Sequence, residues 1–242
     1  MRGMSRVAAG IVFAISALSL SGCLVNRIQT VQQQACEFDE NFKVSVNDGM
    51  NITFLNPVLL YDDVALLAGL APQLEELEGN RYRASYVIRK VGDPDGFDVP
   101  IKLMFEKQED ELKLTQASWQ SPIQVSLDDV HLPQIAADAC NTSLYLWSTR
   151  VEFPMPEFDR SIIPSREQFI RLAGKPTLRS NDGSELQYNF VLEGANNDEL
   201  TGSINIVYDE GGQNLLRTRT RFYYYVTGAD FERGTAWGKI AL

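Results

Sequence analysis

Histidine is almost missing from this 242-residue chain, which contains only His131. A general base or a catalytic triad would have to use that residue, and a zinc site normally needs several imidazoles or thiols at ligand spacing. No Gly-x-Ser-x-Gly elbow, phosphate-binding glycine loop or zincin motif is present. A hydrolase would need His131 beside a serine and an acid. The sequence therefore predicts no enzyme, no catalytic residue, no metal and no cofactor.

Basic charge is also scarce. Twenty-two Lys and Arg residues face 32 Asp and Glu residues, which gives a formal net charge of −10. A nucleic-acid-binding protein needs a basic surface to neutralise phosphates, and attraction to anionic headgroups needs the same. The composition argues against both classes of partner and is typical of a soluble acidic surface.

Carboxylates cluster at one place, where Asp93, Asp95 and Asp98 fall within six residues. A calcium loop of the EF-hand type needs a twelve-residue spacing and a closing Glu, and both are missing here. The proline and glycine in the same stretch are typical of a turn. We therefore predict a hairpin loop rather than a calcium site.

The N-terminus has the features of a secretory signal. Arg2 and Arg6 precede an apolar run at 7–20 that is too short to span a bilayer. The run closes with Leu20-Ser21-Gly22-Cys23, which resembles the lipobox of bacterial lipoproteins. The resemblance implies cleavage before Cys23, acylation of Cys23 and a firm membrane anchor, at roughly 0.8 kcal/mol per buried methylene. The alternative is an uncleaved membrane helix with a chance cysteine.

Leu24 follows the predicted lipid attachment site, where retention in the inner membrane would favour Asp. The resemblance therefore points to the outer membrane, with the protein lipid-anchored and facing the periplasm. The cleaved segment would take two arginines and no acid with it, so the mature chain would carry a net charge of −12.

The chain has three cysteines, and one of them is assigned to lipid. The remaining pair, Cys36 and Cys140, would meet an oxidising periplasm, where an even number of cysteines favours a disulfide. Closing a loop of about 100 residues would contribute up to roughly 4–5 kcal/mol in the chain-entropy model. Two buried free thiols are the alternative.

One helix signal occurs twice. In the stretch Ser165–Pro176, Ser165 is a good N-cap with Gln168 as its capping-box partner, and Gly174 predicts a left-handed C-cap before the proline. The stretch Asp62–Pro72 has similar helix start and stop signals about a hundred residues earlier. Each predicted helix is followed by strands with period-two alternation, which indicates an internal repeat.

These patterns predict an α+β fold with two similar modules, each a short helical segment packed on an antiparallel β-meander, joined by a helical connector. The expected organisation is a signal peptide at 1–22, a lipid-anchored tether at 23–41, a first module at 42–118, a connector at 119–150, and a second module with a tail at 151–242.

The second module carries a resemblance. Its helix ends at Gly174-Lys175-Pro176, a strand containing Tyr188 follows, and a later strand turns at Asp209–Gln213. This order resembles the small outer-membrane lipoproteins of the BamE/SmpA type, and the tandem arrangement is similar to the β-lactamase-inhibitor-protein fold. The resemblance implies an α+β fold and a scaffold or binding role, and it brings no catalytic residues. The first module departs from the pattern, with one more residue between its glycine and its proline.

A predicted strand at 215–226 offers the best candidate surface. Strand alternation places five side chains on one face, and arginine and tyrosine are enriched at interface hot spots. The alternative is a solvated sheet face whose arginines pair with nearby carboxylates. The five candidate partner-binding residues are Arg217, Arg219, Arg221, Tyr223 and Tyr225.

The expected function is a non-enzymatic outer-membrane lipoprotein that acts as a protein-interaction or scaffold module and binds another envelope protein. The alternative is a periplasmic carrier that binds a lipid or small ligand between the modules. A deep apolar pocket would favour the carrier, and a flat polar sheet face would favour the interaction module. An inhibitor of a secreted enzyme also fits the resemblance, although a fold alone does not determine function.

Overall fold

The computed structural model of the chain describes residues 24–46, 49–93, 98–120, 151–154, 163–222 and 225–240. Several predicted features lie outside these residues. They are the signal segment with Cys23, residues 121–150 of the connector with His131 and Cys140, the loop at 94–97, and Tyr223. What the sequence predicts for them stays a prediction.

Helices form a small part of the described chain, and strands form the rest of its regular structure. The helices are α1 (residues 24–36), α2 (Phe38–Asn41), α3 (Tyr61–Ala68) and α4 (Arg166–Ala173), with a 3-10 turn at Ala195–Asn197. The strands are β1 (Phe42–Ser45), β2 (Met50–Phe54), β3 (Gln73–Glu76), β4 (Arg81–Lys90), β5 (Asp98–Gln108), β6 (Glu111–Trp119), β7 (Val151–Pro154), β8 (Leu178–Arg179), β9 (Glu185–Glu193), β10 (Glu199–Tyr208), β11 (Leu215–Phe222), β12 (Tyr225–Asp230) and β13 (Thr235–Ile240).

All thirteen described strands belong to one sheet, in the order β1-β2-β6-β5-β4-β9-β10-β11-β12-β13-β7. Strand β3 adds to the free part of β4, and β8 adds to β9. Every pairing is antiparallel.

This sheet shows that the predicted fold class is wrong. The described chain is mostly antiparallel sheet with few helices, and it is not an α+β arrangement of two helix-on-meander modules. The last four residues of β4, Val87–Lys90, pair with Phe190–Glu193 of β9 and join the strands on both sides into one sheet. Alternation in a sequence shows which face of a strand is buried, but it does not show which strand lies beside it.

One face of the sheet is apolar and carries α3 and α4. The aromatic ring of Tyr61 on α3 meets Phe105 edge to face at 5.7 Å between centroids, and Phe169 on α4 meets Tyr188 in the same way at 5.5 Å. Strand β9 contributes Leu186 to the core under α4 and Leu192 to the core under α3. Both helices therefore lie on the same face of the sheet.

The ends of α4 confirm the predicted capping box. The backbone amide of Gln168 donates to Ser165 Oγ at 3.4 Å, and the Ser165 amide donates to Gln168 Oε1 at 2.8 Å. At the C-terminal end, Gly174 has φ +73° as expected, but its ψ of −169° lies outside the predicted left-handed helical region. That combination of φ and ψ is accessible almost only to glycine. A glycine is therefore required at this position, where the backbone leaves the helix in a different direction from that of a standard C-cap.

A buried tyrosine hydroxyl donates a hydrogen bond to a backbone carbonyl just beyond the C-terminal end of both α3 and α4. The hydroxyl of Tyr86 on β4 donates to the backbone carbonyl of Leu70 at 2.9 Å, just beyond α3. The hydroxyl of Tyr188 on β9 donates to the Gly174 carbonyl at 3.0 Å, just beyond α4. Burial raises the pKa of the Tyr86 phenol and raises the pKa of Tyr188 to about 12, because a buried phenolate is poorly solvated.

Lys90 lies where β4 meets β9, and its side chain is only 1% exposed. Its ammonium donates to Asp93 Oδ2 at 2.7 Å and to the Ala173 carbonyl at 3.0 Å, and it lies 5.3 Å from the centre of the Tyr188 ring. The Ala173 carbonyl is at the C-terminal end of α4, where a cation is favoured. Lys90 therefore links β4, in the first half of the sheet, to the C-terminal end of α4.

The second half of the sheet is linked in the same way to the segment that follows α3. The amide of Ala195, in the turn after β9, donates to the Ala71 carbonyl beyond α3 at 2.8 Å. A Cβ on Gly194 would come within 1.9 Å of the Leu70 side chain, so only glycine permits this approach. Each half of the sheet therefore contacts the helix end of the other half.

The free energy of unfolding should fall as the pH rises above 9. We expect Tyr188→Phe to reduce the slope of that fall. The unfolded chain releases the phenolic proton near pH 10, whereas the folded chain holds it up to about pH 12. The contribution of this raised pKa is fully present below pH 10 and is lost as the pH rises through the folded value. Urea unfolding followed by circular dichroism at pH 9 to 11.5 measures the slope. At pH 7 the variant should lose about 1 kcal/mol, the value of one hydrogen bond. A slope equal to that of the parent chain would contradict the buried position of this phenol.

Candidate functional site

Strand β11 exposes three arginines on one face. Arg217, Arg219 and Arg221 are exposed, and the residues between them are partly buried. Phe222 packs against the core beneath α3 and stacks on Phe190 at 5.9 Å between ring centroids. Because neighbouring residues of a strand point to opposite faces, the arginines point away from the helices. We call Arg217, Arg219 and Arg221 the arginine ladder.

The ladder concentrates positive charge on an acidic protein. Alternate residues of a strand are roughly 7 Å apart, so the three Cα positions span roughly 13 Å. The neighbours across the ladder on β10 are Val207, Asn205 and Ser203, which carry no charge. On β12 the partner of Arg217 is Asp230, whose carboxylate instead accepts from the amides of the turn that follows it.

No ion pair between described residues involves a ladder arginine. Other arginines of the chain are neutralised: Arg83 pairs with Glu75 at 3.3 Å, and Arg89 pairs with Asp98 at 3.2 Å and also with Glu193. The contrast argues against the interpretation of the ladder as a solvated face whose arginines pair with their own carboxylates.

A depression of about 550 Å³, lined by both polar and apolar residues, opens on the same face beside Arg221. It forms because the short side chains of β10 lie between longer ones on β9 and β11. Gln187 Nε2 donates to Asn189 Oδ1 at 2.8 Å, which fixes both amides at its edge. The polar side chains that line it are Gln187, Asn189, Thr201, Ser203 and Arg221. Together they offer a cation and several hydrogen-bonding groups, which suits a carboxylate or a hydroxylated ligand.

Asn205 adds an unsatisfied acceptor between the ladder and the depression. It lies opposite Arg219 on one side and Gln187 on the other. Its Oδ1 is buried, and among the described residues it has no hydrogen-bond partner. Buried polar atoms normally find one, so Asn205 Oδ1 is an exception among the described residues.

Tyr225, one of the two predicted tyrosines, does not extend the ladder. The predicted strand at 215–226 is a hairpin of β11 and β12, in which Tyr225 pairs with Phe222. Tyr225 therefore lies on the face opposite the ladder, and burial raises the pKa of its phenol. Tyr223 lies outside the described residues. The hairpin was not predictable from a turn motif, because no Asn-Gly or Asp-Gly pair, the typical mark of a hairpin, stands between Phe222 and Tyr225 in the sequence.

The residues of the depression were missed in the sequence, although a signal was present. On β9, Gln187 and Asn189 alternate with the buried Leu186 and Tyr188. The polar face of a strand is usually solvent-facing and uninformative. Only the register, which places Ser203 opposite both Asn189 and Arg221, shows that these side chains share a site.

The remaining candidate residues stay untested. Cys23 and Cys140 lie outside the described residues, so lipid attachment and pairing with Cys36 on α1 remain predictions. Within the described residues, no three His, Cys, Asp or Glu side chains form a group that could hold a metal ion. None of the helices in the described part of the chain is long and apolar enough to cross a membrane.

No family model, curated protein or solved structure matches the chain. The resemblance to the BamE/SmpA type and to the β-lactamase-inhibitor-protein fold therefore stays an expectation from short motifs. The chemistry of the site has to be argued from its own residues.

Proposed function

We propose that the chain is a non-enzymatic outer-membrane lipoprotein, anchored through Cys23 and facing the periplasm, that binds an acidic surface of another envelope protein. The observation that carries the proposal is the arginine ladder. It presents three exposed guanidinium groups without a carboxylate partner among the described residues, on a protein of net charge −10. The lipobox-like sequence before Cys23 supports the anchor.

The physical fit is with carboxylates. Guanidinium groups bind carboxylates through two parallel hydrogen bonds, and such charge-assisted bonds are among the strong polar contacts of proteins. The rest of this acidic chain would repel an acidic partner, whereas the ladder would attract it. Charge complementarity would therefore determine both which partner binds and in which orientation it binds. A flat, polar sheet face is the geometry expected of a protein-interaction module.

A second candidate is a carrier of a small acidic ligand, and the depression beside Arg221 favours it. That depression is open, lies on the sheet face and has a mixed lining, in which Asn189 and Ser203 supply polar groups and Val91 and Leu200 supply apolar surface. It differs from the lipid site between modules that the sequence suggested, because ligand pockets for lipids are mostly apolar and enclosed. The ligand class that suits this lining is hydroxylated and anionic.

We expect Arg219→Glu to abolish partner capture without unfolding the protein. Reversing one charge at the centre of the ladder should weaken binding by about 2 kcal/mol or more, roughly thirtyfold, as at an interface hot spot. The measurement is recovery of tagged lipoprotein from gently solubilised outer membranes, followed by identification of what accompanies it in stoichiometric amount.

Arg171→Glu is the matched control. Arg171 is exposed on α4, on the helix-bearing face, so the control makes the same charge change on the opposite face of the sheet. Arg219→Gln tests folding, and its stability should stay within about 0.5 kcal/mol of the parent chain, because the side chain is exposed and forms no ion pair with another described residue. Equal capture by the parent, Arg219→Glu and Arg171→Glu chains would rule out the ladder as the interface. Recovery of the protein alone with a small acidic compound would favour the carrier.

A further inference from the structure

The N-terminal helix α1 contacts the folded body at both of its ends. Arg27, in the first turns of α1, makes a two-pronged ion pair with Asp63 of α3: Nε lies 2.5 Å from Oδ2, and Nη2 lies 2.6 Å from Oδ1. Asp63 is only 3% exposed, and its carboxylate also accepts from the Leu60 amide at 2.9 Å. A buried carboxylate needs such partners, so this contact fixes the start of α1 on α3.

The other end of α1 is fixed as well. Gln34 Nε2 donates to the Asn56 backbone carbonyl at 2.7 Å, and Asn56 Nδ2 donates to Asn41 Oδ1 at 2.9 Å. Asn41 is buried and also donates to the Glu37 carbonyl. Helix α1 therefore runs from Asp63 towards Asn56, and its first residues lie near the side of α3 that bears Asp63.

The predicted lipid attachment site lies four residues before Arg27. Four residues span at most roughly 14 Å even when fully extended. If Cys23 carries acyl chains in a bilayer, the Arg27–Asp63 contact must lie at the membrane surface. A flexible tether would allow any orientation, whereas this connection allows only those with α3 close to the lipid.

Leu66 is the apolar residue that the same side of α3 exposes. It lies three residues after Asp63, so it shares a face with Asp63 one turn further along the helix. Its side chain is 64% exposed, the most exposed of the large hydrophobic residues described. Isolated exposed leucines are common, and what distinguishes this one is its position beside the residue that receives the start of α1.

We propose that the lipid surface is the partner of this side of the protein, with Leu66 and the start of α1 resting in the bilayer interface. The inference rests on the lipid anchor of the proposed function. The contact would depend on the acyl chains and apolar side chains, because the arginine ladder, where the described residues concentrate positive charge, lies on the other face of the sheet. Since α3 and the arginine ladder lie on opposite faces of the sheet, the ladder would be presented away from the membrane.

The test uses the full chain with its native signal, purified as the acylated protein and placed in vesicles. The vesicles contain phosphatidylethanolamine with a minor share of phosphatidylglycerol, and bromine in the acyl chains quenches a nearby fluorophore. Leu66→Cys and Leu178→Cys are each labelled with an environment-sensitive dye, and the unsubstituted chain gives the labelling background. Leu178 is a matched control, because it is a leucine of 59% exposure that pairs in register with Gln187 on the face of the ladder.

We expect the bromolipid to quench the dye at position 66 and to leave the dye at position 178 unquenched. Asp63→Asn keeps an acceptor for the Leu60 amide but removes the charge that holds Arg27, so quenching at position 66 should fall to the level at position 178. A retained signal in that variant would show that the ion pair does not set the orientation.

Mass spectrometry of the N-terminal peptide separates the two ways in which the inference can fail. An acylated peptide together with equal quenching at both positions would overturn the proposed membrane contact and leave the anchor standing. A peptide without acyl chains would overturn the anchor, and the inference would fall with it.

Discussion

Lys90 brings a full charge into the interior at the place where β4 and β9 pair. A buried ammonium is costly unless it is hydrogen-bonded and paired, and here a carboxylate, a helix-end carbonyl and an aromatic ring surround it. These partners come from both halves of the chain. The pairing of Val87–Lys90 with Phe190–Glu193 is therefore stabilised by a contact that exists only when the halves are joined, and the continuity of the sheet depends on it.

The continuous sheet gives the protein two chemically different faces. One face holds α3 and α4 over an aromatic and aliphatic core, and the start of α1 is fastened to α3 on that side. The other face carries the arginine ladder and the depression beside Arg221. Because both faces belong to one sheet, fixing one relative to a membrane also fixes the direction in which the other is presented. Anchoring and partner recognition would then be separate tasks of opposite faces.

Features that depend on interactions between residues close in sequence were predictable. Ser165 and Gln168 form the expected capping box, because their partners lie within one helical turn. The strand predicted around Tyr188 is present as β9. The pattern of β11 correctly placed the three arginines together on an exposed face.

Long-range features could not be predicted in the same way. The pairing of β4 with β9 joins residues about a hundred positions apart, and many strands with the same alternation could have taken either place. Arg27 resembled any charged residue of a polar tether until Asp63 was found beside it. The pairing of Phe222 with Tyr225 was hidden because both are aromatic residues, which favour a continuous strand. For the strand pairing and for the ion pair, the deciding partner is distant in sequence.

Native-state hydrogen exchange at the β4–β9 junction tests the continuity of the sheet most directly. The backbone amide of Val91 donates to the Asn189 carbonyl at 2.9 Å, so it reports the junction. We predict that this amide exchanges only through global unfolding, with the same free energy of opening as core amides of β5 and β10. Exchange at a clearly lower free energy, with both of those strands still protected, would show that the halves separate and would contradict a single cooperative sheet.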